Sequence, residues 1–154
     1  MEDAERAVVF SVDARRFAVS AACVDFVTRA VALTPLPNAP DIVAGLVNVR
    51  GVIMPVVSVR RRSGIPDRPL SSGDYFIVAR TPRRSLALIA DAILGLFPFR
   101  AEDFSATAEV LRGVPHLGGI LQDPDGLILI HDLERFLSLE EEQFLDVALA
   151  GHTS

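Results

Sequence analysis

The stretch GLVNVRGVIMPVVSVRRRSG, Gly45–Gly64, consists almost entirely of residues that favour β-strands. Two apolar arms flank Arg50 and Gly51, a pattern that predicts a β-hairpin. Gly51 can supply the positive φ that a tight hairpin turn requires. An arginine beside it is held on a rigid frame, where its planar guanidinium can bind carboxylates or carbonyls. A solubilising turn residue fits the same pattern equally well. Pro55 lies inside the second arm and predicts an edge or bulged strand there.

Further β-like runs precede this hairpin. The runs Ala7–Val12 and Phe17–Ser20 predict a first hairpin with a polar turn at Asp13–Arg16. The β-branched run Val24–Leu33 predicts a third strand. The segment Thr34–Pro40 contains three prolines, which remove backbone donors and fix φ, so it is expected to be a rigid connector.

The second half of the chain repeats this order of parts. Arg15-Arg16 corresponds to Arg83-Arg84, 68 positions later, and Gly51 corresponds to Gly126, 75 positions later. Both halves contain, in this order, an apolar arm, a glycine turn, a second apolar arm and a short charged helix. The repeat predicts an internal duplication of two β-lobes of about 70 residues, each closing into a small barrel.

The domain organisation follows from this repeat. Residues 1–154 are expected to form a single domain, with approximate lobes at 7–66 and 74–137 and a closing helix at 138–150. The polar segment Arg60–Asp74 marks the middle of the chain, and Phe99–His116 is expected to be a crossing loop. Ser138, with Glu141 three positions on, predicts a capping box. The expected inward face of the closing helix consists of Leu139, Phe144, Leu145 and Ala148.

Composition narrows the class of protein. Half of the 154 residues are hydrophobic and the formal net charge is −5, which argues against non-specific nucleic-acid binding. No signal peptide is recognisable, and the longest apolar run, SLALIADAILGLFPF, is broken by Asp91 and Pro98 before it could span a bilayer. We therefore expect a soluble cytoplasmic protein without direct membrane insertion. The single cysteine, Cys23, excludes an internal disulfide and is expected to be a buried apolar filler.

The sequence lacks the common catalytic and phosphate-binding motifs. His131 and Asp132 could form a base with its orienting carboxylate, but the end of a strand with Asp132 as a helix cap is the better reading. Asp123–Gly126 superficially suggests a calcium loop, but most ligand positions are missing and a hairpin turn is expected. Arg60–Arg62 could contact phosphate, although the solvated end of a short helix explains it better. The three histidines do not have the spacing of metal ligands. They are His116, His131 and His152.

These observations predict a non-catalytic binding module with no cofactor and no metal site. Two other classes remain open. One is a ligand-binding regulatory β-barrel, which would need a buried cavity with convergent polar groups. The other is a small hydrolase or metal enzyme that uses His131, Asp132 and Asp125.

The segment Thr34–Pro66 resembles the most characteristic part of the CheW-like family, the adaptor proteins of bacterial chemotaxis arrays. The shared pattern is a proline-rich connector, a Gly-φ-φ-Asn-φ-Arg-Gly core in which φ is apolar, an arm with an internal proline, and an Arg-rich helix start. Val8–Val27 resembles the family's opening hairpin, Ser85–Phe97 its central strand, and Leu111–Glu142 its final hairpin and closing helix. The resemblance extends over residues 7 to 148.

This resemblance implies a mainly β fold with two SH3-like five-stranded β-barrels, short helices and a C-terminal helix. It also implies a scaffold that bridges the cytoplasmic tip of a chemoreceptor coiled coil and the regulatory domain of a CheA-type histidine kinase. A divergent scaffold of a non-chemotaxis two-component pathway is the related alternative. The implied receptor-binding residues are Val24, Phe26, Gly45, Asn48, Arg50 and Gly51. The implied kinase-binding residues are Leu94, Leu96 and Phe97.

Two positions depart from the family pattern. Ser58 stands where an aspartate usually precedes the helix, and serine can still cap a helix without the charge. Phe26 stands where the family often carries an acid. If the ring is exposed, it makes the receptor groove less polar and points to altered partner specificity; if the ring points inward, this expectation does not apply.

Overall fold

Within residues 5–99 and 117–150, which the computed structural model describes, ten strands form two five-stranded sheets. Sheet 1 has the order β8-β1-β2-β10-β9 and sheet 2 the order β3-β6-β7-β5-β4. The strands of sheet 1 are β1 Glu5–Val12, β2 Arg15–Ser20, β8 Ala92–Phe99, β9 Leu117–Asp123 and β10 Gly126–His131. The strands of sheet 2 are β3 Val24–Arg29, β4 Val43–Val49, β5 Val52–Val57, β6 Tyr75–Arg80 and β7 Ser85–Ala90. The prediction of a mainly β chain with two five-stranded units is confirmed.

The two sheets exchange strands between the halves of the chain. Sheet 1 combines the hairpin β1–β2 with β8, β9 and β10 from the second half, whereas sheet 2 combines the hairpin β6–β7 with β3, β4 and β5 from the first. In each sheet a parallel pairing joins the parts, β2 with β10 and β7 with β5. The first strand of each half, β1 or β6, has the equivalent position in its sheet, and the same is true of the second to fifth strands. This correspondence supports the predicted duplication.

The predicted lobes at 7–66 and 74–137 are therefore wrong as structural units. Each sheet draws its strands from both halves. A repeat in sequence fixes the order of the strands, but long-range pairing decides which half completes each sheet.

The main core lies between the two sheets. Successive side chains of a strand point to opposite faces, so Val8 and Phe10 of β1 enter this core, while Ala7 and Val9 enter a smaller core inside sheet 1. Strands buried on both faces read as continuous apolar runs, which explains why the first hairpin does not show an alternating pattern. A third core, containing Val47, Met54, Val56, Phe76, Val78 and Ala87, fills the interior of sheet 2.

Helix α1, Val59–Arg62, follows β5, and its N-cap Ser58 accepts a hydrogen bond from the Arg61 backbone N–H at 3.1 Å. A 3-10 helix, Leu133–Arg135, follows β10 at the equivalent place, and Asp132 caps it as predicted. Ser58 thus keeps the capping function without the charge.

Helix α2, Leu139–Ala148, closes the fold with the predicted capping box between Ser138 and Glu141. Leu145 is fully buried and Phe144 packs against the main core. The expectation for Leu139 was wrong, because it is the first residue of the helix and its side chain is exposed. No helix in the described ranges is long and apolar enough to cross a bilayer.

Ion pairs join α1 and α2 to each other and to the segments that connect the strands. Arg60 pairs with Asp91 at 2.7 Å, Arg62 with Glu141 at 2.5 Å, and Arg84 of the β6–β7 turn with Glu142 at 2.8 Å. The expectation of a solvated helix end was therefore wrong for Arg60 and Arg62, whose side chains are mostly covered, whereas Arg61 is exposed and pairs with Asp67.

Several strand boundaries differ from the predictions. The third strand ends at Arg29 rather than at Leu33. The run Ser85–Phe97, expected as one central strand, divides at Asp91 into β7 and β8, which belong to different sheets. The crossing loop Phe99–His116 lies outside the described residues except for Phe99, the last residue of β8. His152 also lies outside them.

The edge or bulged strand expected at Pro55 is found only locally: β5 as a whole lies between β7 and β4, but its first half, including Pro55, pairs with β4 alone. Pro55 itself pairs with Leu46 of β4. The ladder to β7 begins one residue later, at Val56. A residue without an N–H fits this place, since it has no donor to contribute to the ladder. The first half of β5 consequently extends beyond the ladder with β7.

Candidate functional site

The turn between β4 and β5 consists of Arg50 and Gly51 alone. Val49 and Val52 form the last pair of the ladder, and both turn residues have positive φ, 53° at Arg50 and 87° at Gly51. Two consecutive positive φ values are typical of a type I′ hairpin turn. The Asn48 side chain strengthens the turn by accepting a hydrogen bond from the Gly51 N–H at 2.9 Å. We refer to residues 48–51 as the hairpin tip.

Arg50 is an unfavourable residue for this backbone. The left-handed region costs about 1–2 kcal/mol for a residue with a Cβ, and Gly and Asn adopt it more readily. Such strain is found mainly where the side chain has a function. The strained backbone therefore directs attention to the Arg50 guanidinium.

The Arg50 guanidinium is stacked on an aromatic ring. Its Cζ lies 3.9 Å from the centroid of the Phe26 ring on β3. This distance is well within the range of a cation–π contact. Phe26 is half-buried and packs against the core of sheet 2. The ring therefore points largely inward, and the expectation that an exposed Phe26 makes the groove less polar does not apply.

The contact joins the two edges of sheet 2. β3 and β4 lie at opposite ends of the strand order. The Arg50–Phe26 contact brings the hairpin tip onto β3, and a bridge between Thr34 and Leu46 connects the segment after β3 to β4. The sheet is thus curled so that its edges meet, as in a small barrel.

Gly45 permits the close approach of the connector. A Cβ placed at Gly45 would lie 2.9 Å from the Thr34 carbonyl oxygen and 3.0 Å from the Leu33 Cβ. Gly45 is buried. Its place in the site is therefore to let the proline-rich connector lie against β4.

Arg50 has no ion pair within the described part of the chain, unlike most of the other arginines there. Asp25, the neighbour of Phe26, is paired with Arg80 at 2.8 Å and is not available. The arginines with carboxylate partners are Arg60, Arg61, Arg62, Arg68, Arg80, Arg83, Arg84 and Arg135. The hairpin tip thus presents an exposed positive charge with its hydrogen-bond donors unused.

A groove with both apolar and charged walls lies beside the hairpin tip. Val52 and Ile53 have exposed fractions of 49% and 37%. Together with Leu145 and Leu149 they form the apolar part of a groove of about 280 Å³ between the start of β5 and the end of α2. Its charged part consists of Arg83, Arg84 and Asp146. Sequence reasoning missed Val52 and Ile53. The signal was Pro55, because the ladder with β7 begins only after it, at Val56, and Val52 and Ile53 therefore pair with β4 alone.

The sequence-predicted receptor residues come together only in part. Phe26, Asn48, Arg50 and Gly51 meet at the hairpin tip. Gly45 lies behind this surface. Val24 is half-buried and packs against the main core, so it contributes to the shape of β3 rather than to an open surface.

The three predicted kinase-binding residues lie together on an exposed edge. Leu94, Leu96 and Phe97 are all on β8, the edge strand of sheet 1, and each is exposed. A register shift opposite Val9 and Phe10 places a bulge at Leu94. We refer to these three residues as the β8 edge. An exposed apolar group on an edge strand is a typical interaction surface.

Among the described residues, a pocket beside α1 offers no unpaired charge to a ligand. It measures about 470 Å³ and is lined in part by Arg60, Arg61, Arg68 and two aspartates. These charges pair with carboxylates, for example Arg68 with Asp74 at 2.7 Å. Burial disfavours the Asp74 carboxylate, but hydrogen bonds from Arg68 and the Ser71 N–H and the nearby positive charges outweigh it and lower the Asp74 pKa. Because these arginines and aspartates pair with one another, they hold the loops of the pocket together and are not available to a ligand.

The alternative catalytic group is not assembled. Asp125 and Asp132 lie at opposite ends of the six-residue strand β10, which separates them by about 20 Å. His131 is buried and stacks on Phe17, with ring centroids 5.2 Å apart. Asp132 caps the following 3-10 helix, and Pro124-Asp125 form the β9–β10 turn. Cys23 is half-buried against the main core, and burial, with Glu134 and Asp132 nearby, raises the pKa of its thiol.

Comparison with known proteins points to one family. The family model described as CheW-like domain matches residues 6–141. A chemotaxis protein CheW from Treponema pallidum is 23% identical over 90% of this chain and 85% of its own length. A chemotaxis protein CheW from Rhizobium meliloti is 25% identical over 88% of this chain and 89% of its own.

The fold also matches a solved structure, the scaffolding protein TtCheW from Thermoanaerobacter tengcongensis. The TM-score is 0.77, with 23% identity and 92% of each chain covered. The prediction of two SH3-like five-stranded β-barrels is thereby confirmed.

Proposed function

The chain belongs to the CheW-like family, and on that basis we propose that it is a non-catalytic adaptor that couples the cytoplasmic tips of chemoreceptors to a CheA-type histidine kinase. The observation that carries this proposal is the hairpin tip, where a strained Arg50 is stacked on Phe26 and makes no ion pair with the described residues. The CheW names of the Treponema and Rhizobium relatives support the assignment to chemotaxis. The protein acts in the cytoplasm, at receptor arrays.

The receptor contacts the hairpin tip and the groove beside it. A receptor tip is a helical hairpin, and a helix can place apolar side chains on Val52 and Ile53 while Arg50 fixes its register. Asn48 and Gly51 keep the turn rigid, so little conformational entropy is lost on binding. Gly45 and Val24 support the shape of this surface from behind.

The kinase regulatory domain contacts the β8 edge. Leu94, Leu96 and Phe97 lie on sheet 1, whereas the hairpin tip belongs to sheet 2. Two partners on different sheets can be bound at the same time, which an adaptor requires. Signalling then depends on the adaptor binding the active and inactive kinase states with different affinity. Each contact is modest and gains strength from the many copies in an array.

Calorimetry with the purified protein tests the two surfaces separately. We expect saturable binding to a receptor-tip fragment and to the kinase regulatory domain. Arg50→Glu should weaken only receptor binding, and Leu96→Glu should weaken only kinase binding, with the fold intact in both variants. Arg15→Glu is the matched control for Arg50, because Arg15 is also exposed and directly follows a two-residue hairpin turn.

Three results would contradict the assignment. If Arg50→Glu unfolds the protein, Arg50 has a structural role and the receptor surface is misplaced. If Arg15→Glu weakens receptor binding as much as Arg50→Glu, the effect is one of net charge. If the wild-type protein binds neither partner at high micromolar concentration, the adaptor function itself is wrong.

A further inference from the structure

We propose that Phe26 is a positioning residue for partner recognition: its ring holds the Arg50 guanidinium so that the outward N–H groups pair with an Asp or Glu carboxylate on the receptor helix. This inference rests on the proposed function and adds the chemistry of the partner at one point. It also assigns a role to the aromatic residue at position 26, which acts through Arg50.

The Phe26 ring orients the Arg50 guanidinium. Arginine has a long side chain with many rotamers, and ordering it on binding is costly. With Cζ 3.9 Å from the Phe26 centroid, the group lies against the ring in the unbound protein. A guanidinium stacked on a ring still directs its N–H donors sideways, where they can form two parallel hydrogen bonds to a carboxylate.

The Arg50 guanidinium has no hydrogen-bonding partner among the described residues. Arg50 makes no hydrogen bond or ion pair with the described residues, and the nearest acid in sequence to Phe26, Asp25, is held by Arg80. An aromatic ring holds a cation without neutralising its charge. The donors of Arg50 are therefore available to an anionic group from outside.

The surface next to Arg50 indicates that the anionic group belongs to a helix. Val52 and Ile53 are exposed directly after the tip and continue into the groove along α2. The exposed apolar side chains of Val52 and Ile53, with Arg50 at one end and Arg83 and Arg84 along the groove, complement an amphipathic helix that has carboxylates at the edge of its apolar face. A free anion would not use the apolar part of this surface.

The backbone of Arg50 is strained. Its φ of 53° is one that Gly or Asn would adopt at lower cost. The β1–β2 turn has similar positive φ values, 54° at Asp13 and 65° at Ala14, so strain alone does not distinguish Arg50. The difference is that Arg50 places a cation on an aromatic ring.

The test measures binding of a recombinant receptor-tip hairpin, encoded by the same genome, to the wild-type protein and to three Phe26 variants. Phe26→Leu removes the ring and should weaken binding about tenfold. Phe26→Glu restores the acid that the family often carries at this position and gives Arg50 an internal carboxylate. A receptor that is matched to the Phe26 form should then bind about tenfold to a hundredfold more weakly, the range expected for a charge-assisted hydrogen bond. Phe26→Tyr keeps the ring and should bind like the wild type.

The partner carboxylate is identified by changing each Asp and Glu of the receptor fragment to Asn or Gln. One of these changes should weaken binding to the wild-type protein but have little further effect on Phe26→Glu. Binding of the wild type should also weaken with salt more steeply than binding of Phe26→Glu. Binding to the kinase regulatory domain should remain unchanged in all three variants.

A second measurement needs no partner. In the wild-type protein, the NMR signals of the Arg50 δ protons should be shifted upfield by the ring current of Phe26. They should return to ordinary values in Phe26→Leu. This readout stands even if Phe26→Glu does not fold.

The outcomes separate this inference from the proposed function. If the wild-type protein binds the receptor fragment but Phe26→Leu binds equally well, or no carboxylate of the fragment matters, this inference is overturned alone. Absence of the upfield shift, or loss of kinase binding instead of receptor binding, overturns it as well. If the wild type does not bind the fragment at all, the proposed function fails and this inference fails with it.

Discussion

The Arg50 guanidinium lies over the ring of Phe26, and this contact connects the two opposite edges of sheet 2. Arg50 belongs to the turn that follows the edge strand β4, and Phe26 to the other edge strand, β3. The same pair of residues thus takes part in closing the barrel and in presenting a charge to the outside. These two contributions can be separated by substitution. At Arg50 the cation–π contact stabilises the fold, whereas the positive φ destabilises it.

Arg50→Gly should weaken receptor binding without destabilising the fold. The substitution relieves about 1–2 kcal/mol of backbone strain and removes a cation–π contact worth about 0.5–1 kcal/mol. We therefore expect the free energy of unfolding in urea to stay unchanged or to rise by up to about 1 kcal/mol. Receptor binding, measured by calorimetry, should fall at least tenfold. A clear loss of stability would show that the contact with Phe26 is needed mainly to close the barrel.

Gly45→Ala should destabilise the protein by about 1–3 kcal/mol, the range for an overpacked interior site. The added Cβ would lie 2.9 Å from the Thr34 carbonyl oxygen, and backbone atoms cannot move aside easily. Gly73→Ala is the control, since the nearest atom to its Cβ would be the Ser71 Oγ at 3.9 Å. Urea unfolding of both variants provides the comparison. Equal stability of the two variants would mean that the connector can move away from β4.

Removal of Arg84 should cost more stability than removal of its neighbour Arg83. The side chains of Arg84 and Glu142 have exposed fractions of 9% and 5%, so Arg84→Met leaves a buried carboxylate without its partner. We expect a loss of about 3–5 kcal/mol, of which the double variant Arg84→Met/Glu142→Leu should recover a large part. Arg83 pairs with Asp146 at the surface, and Arg83→Met should change stability by no more than about 1 kcal/mol. A small effect of Arg84→Met would show that water reaches Glu142 in solution.

Acid should destabilise the protein in part through Asp74 and Glu141. Burial disfavours both carboxylates, but the hydrogen bonds and charges of Arg68 at Asp74 and of Arg62 at Glu141 outweigh it, so the pKa of each is below its ordinary value of 3.8 or 4.5. Since the folded-state pKa lies below the unfolded one, the stabilisation is fully present at neutral pH. It is lost as the pH falls below about 5 and through the folded-state pKa.

The variants Asp74→Asn and Glu141→Gln check this pH dependence. Each should be less stable than the wild type at pH 7, and the difference should shrink towards pH 3, as measured by urea unfolding across that range. A constant difference at all pH values would mean that the lost stability comes from packing and not from the charge of the carboxylate.

The local features were largely predictable from the sequence, because short-range chemistry decides them. The Arg50-Gly51 turn, the Asp132 cap and the Ser138–Glu141 capping box all appear where the residue types predict them. Leu139 was assigned to the core by helical periodicity, yet the first residue of a helix can face solvent even when it fits the period.

The exchange of strands and the Arg50–Phe26 contact could not be predicted in this way. The pattern of apolar residues in β2 is satisfied equally by a partner from either half, and only the folded chain shows that β10 is that partner. Phe26 and Arg50 are brought together by the curl of a whole sheet, which leaves no local signal. Pro55 gave a signal only for the exposed residues Val52 and Ile53, because the ladder between β5 and β7 begins after it, at Val56.

The exchanged strands also set an order for folding during translation. All strands of sheet 2 lie between residues 24 and 90, so this sheet can be completed while the rest of the chain is still being synthesised. The hairpin β1–β2 leaves the ribosome first, but it obtains β10 only after residue 131 has been made. The hairpin β1–β2 is thus synthesised before sheet 2 but fully paired after it, and chaperones have a long interval in which to bind it.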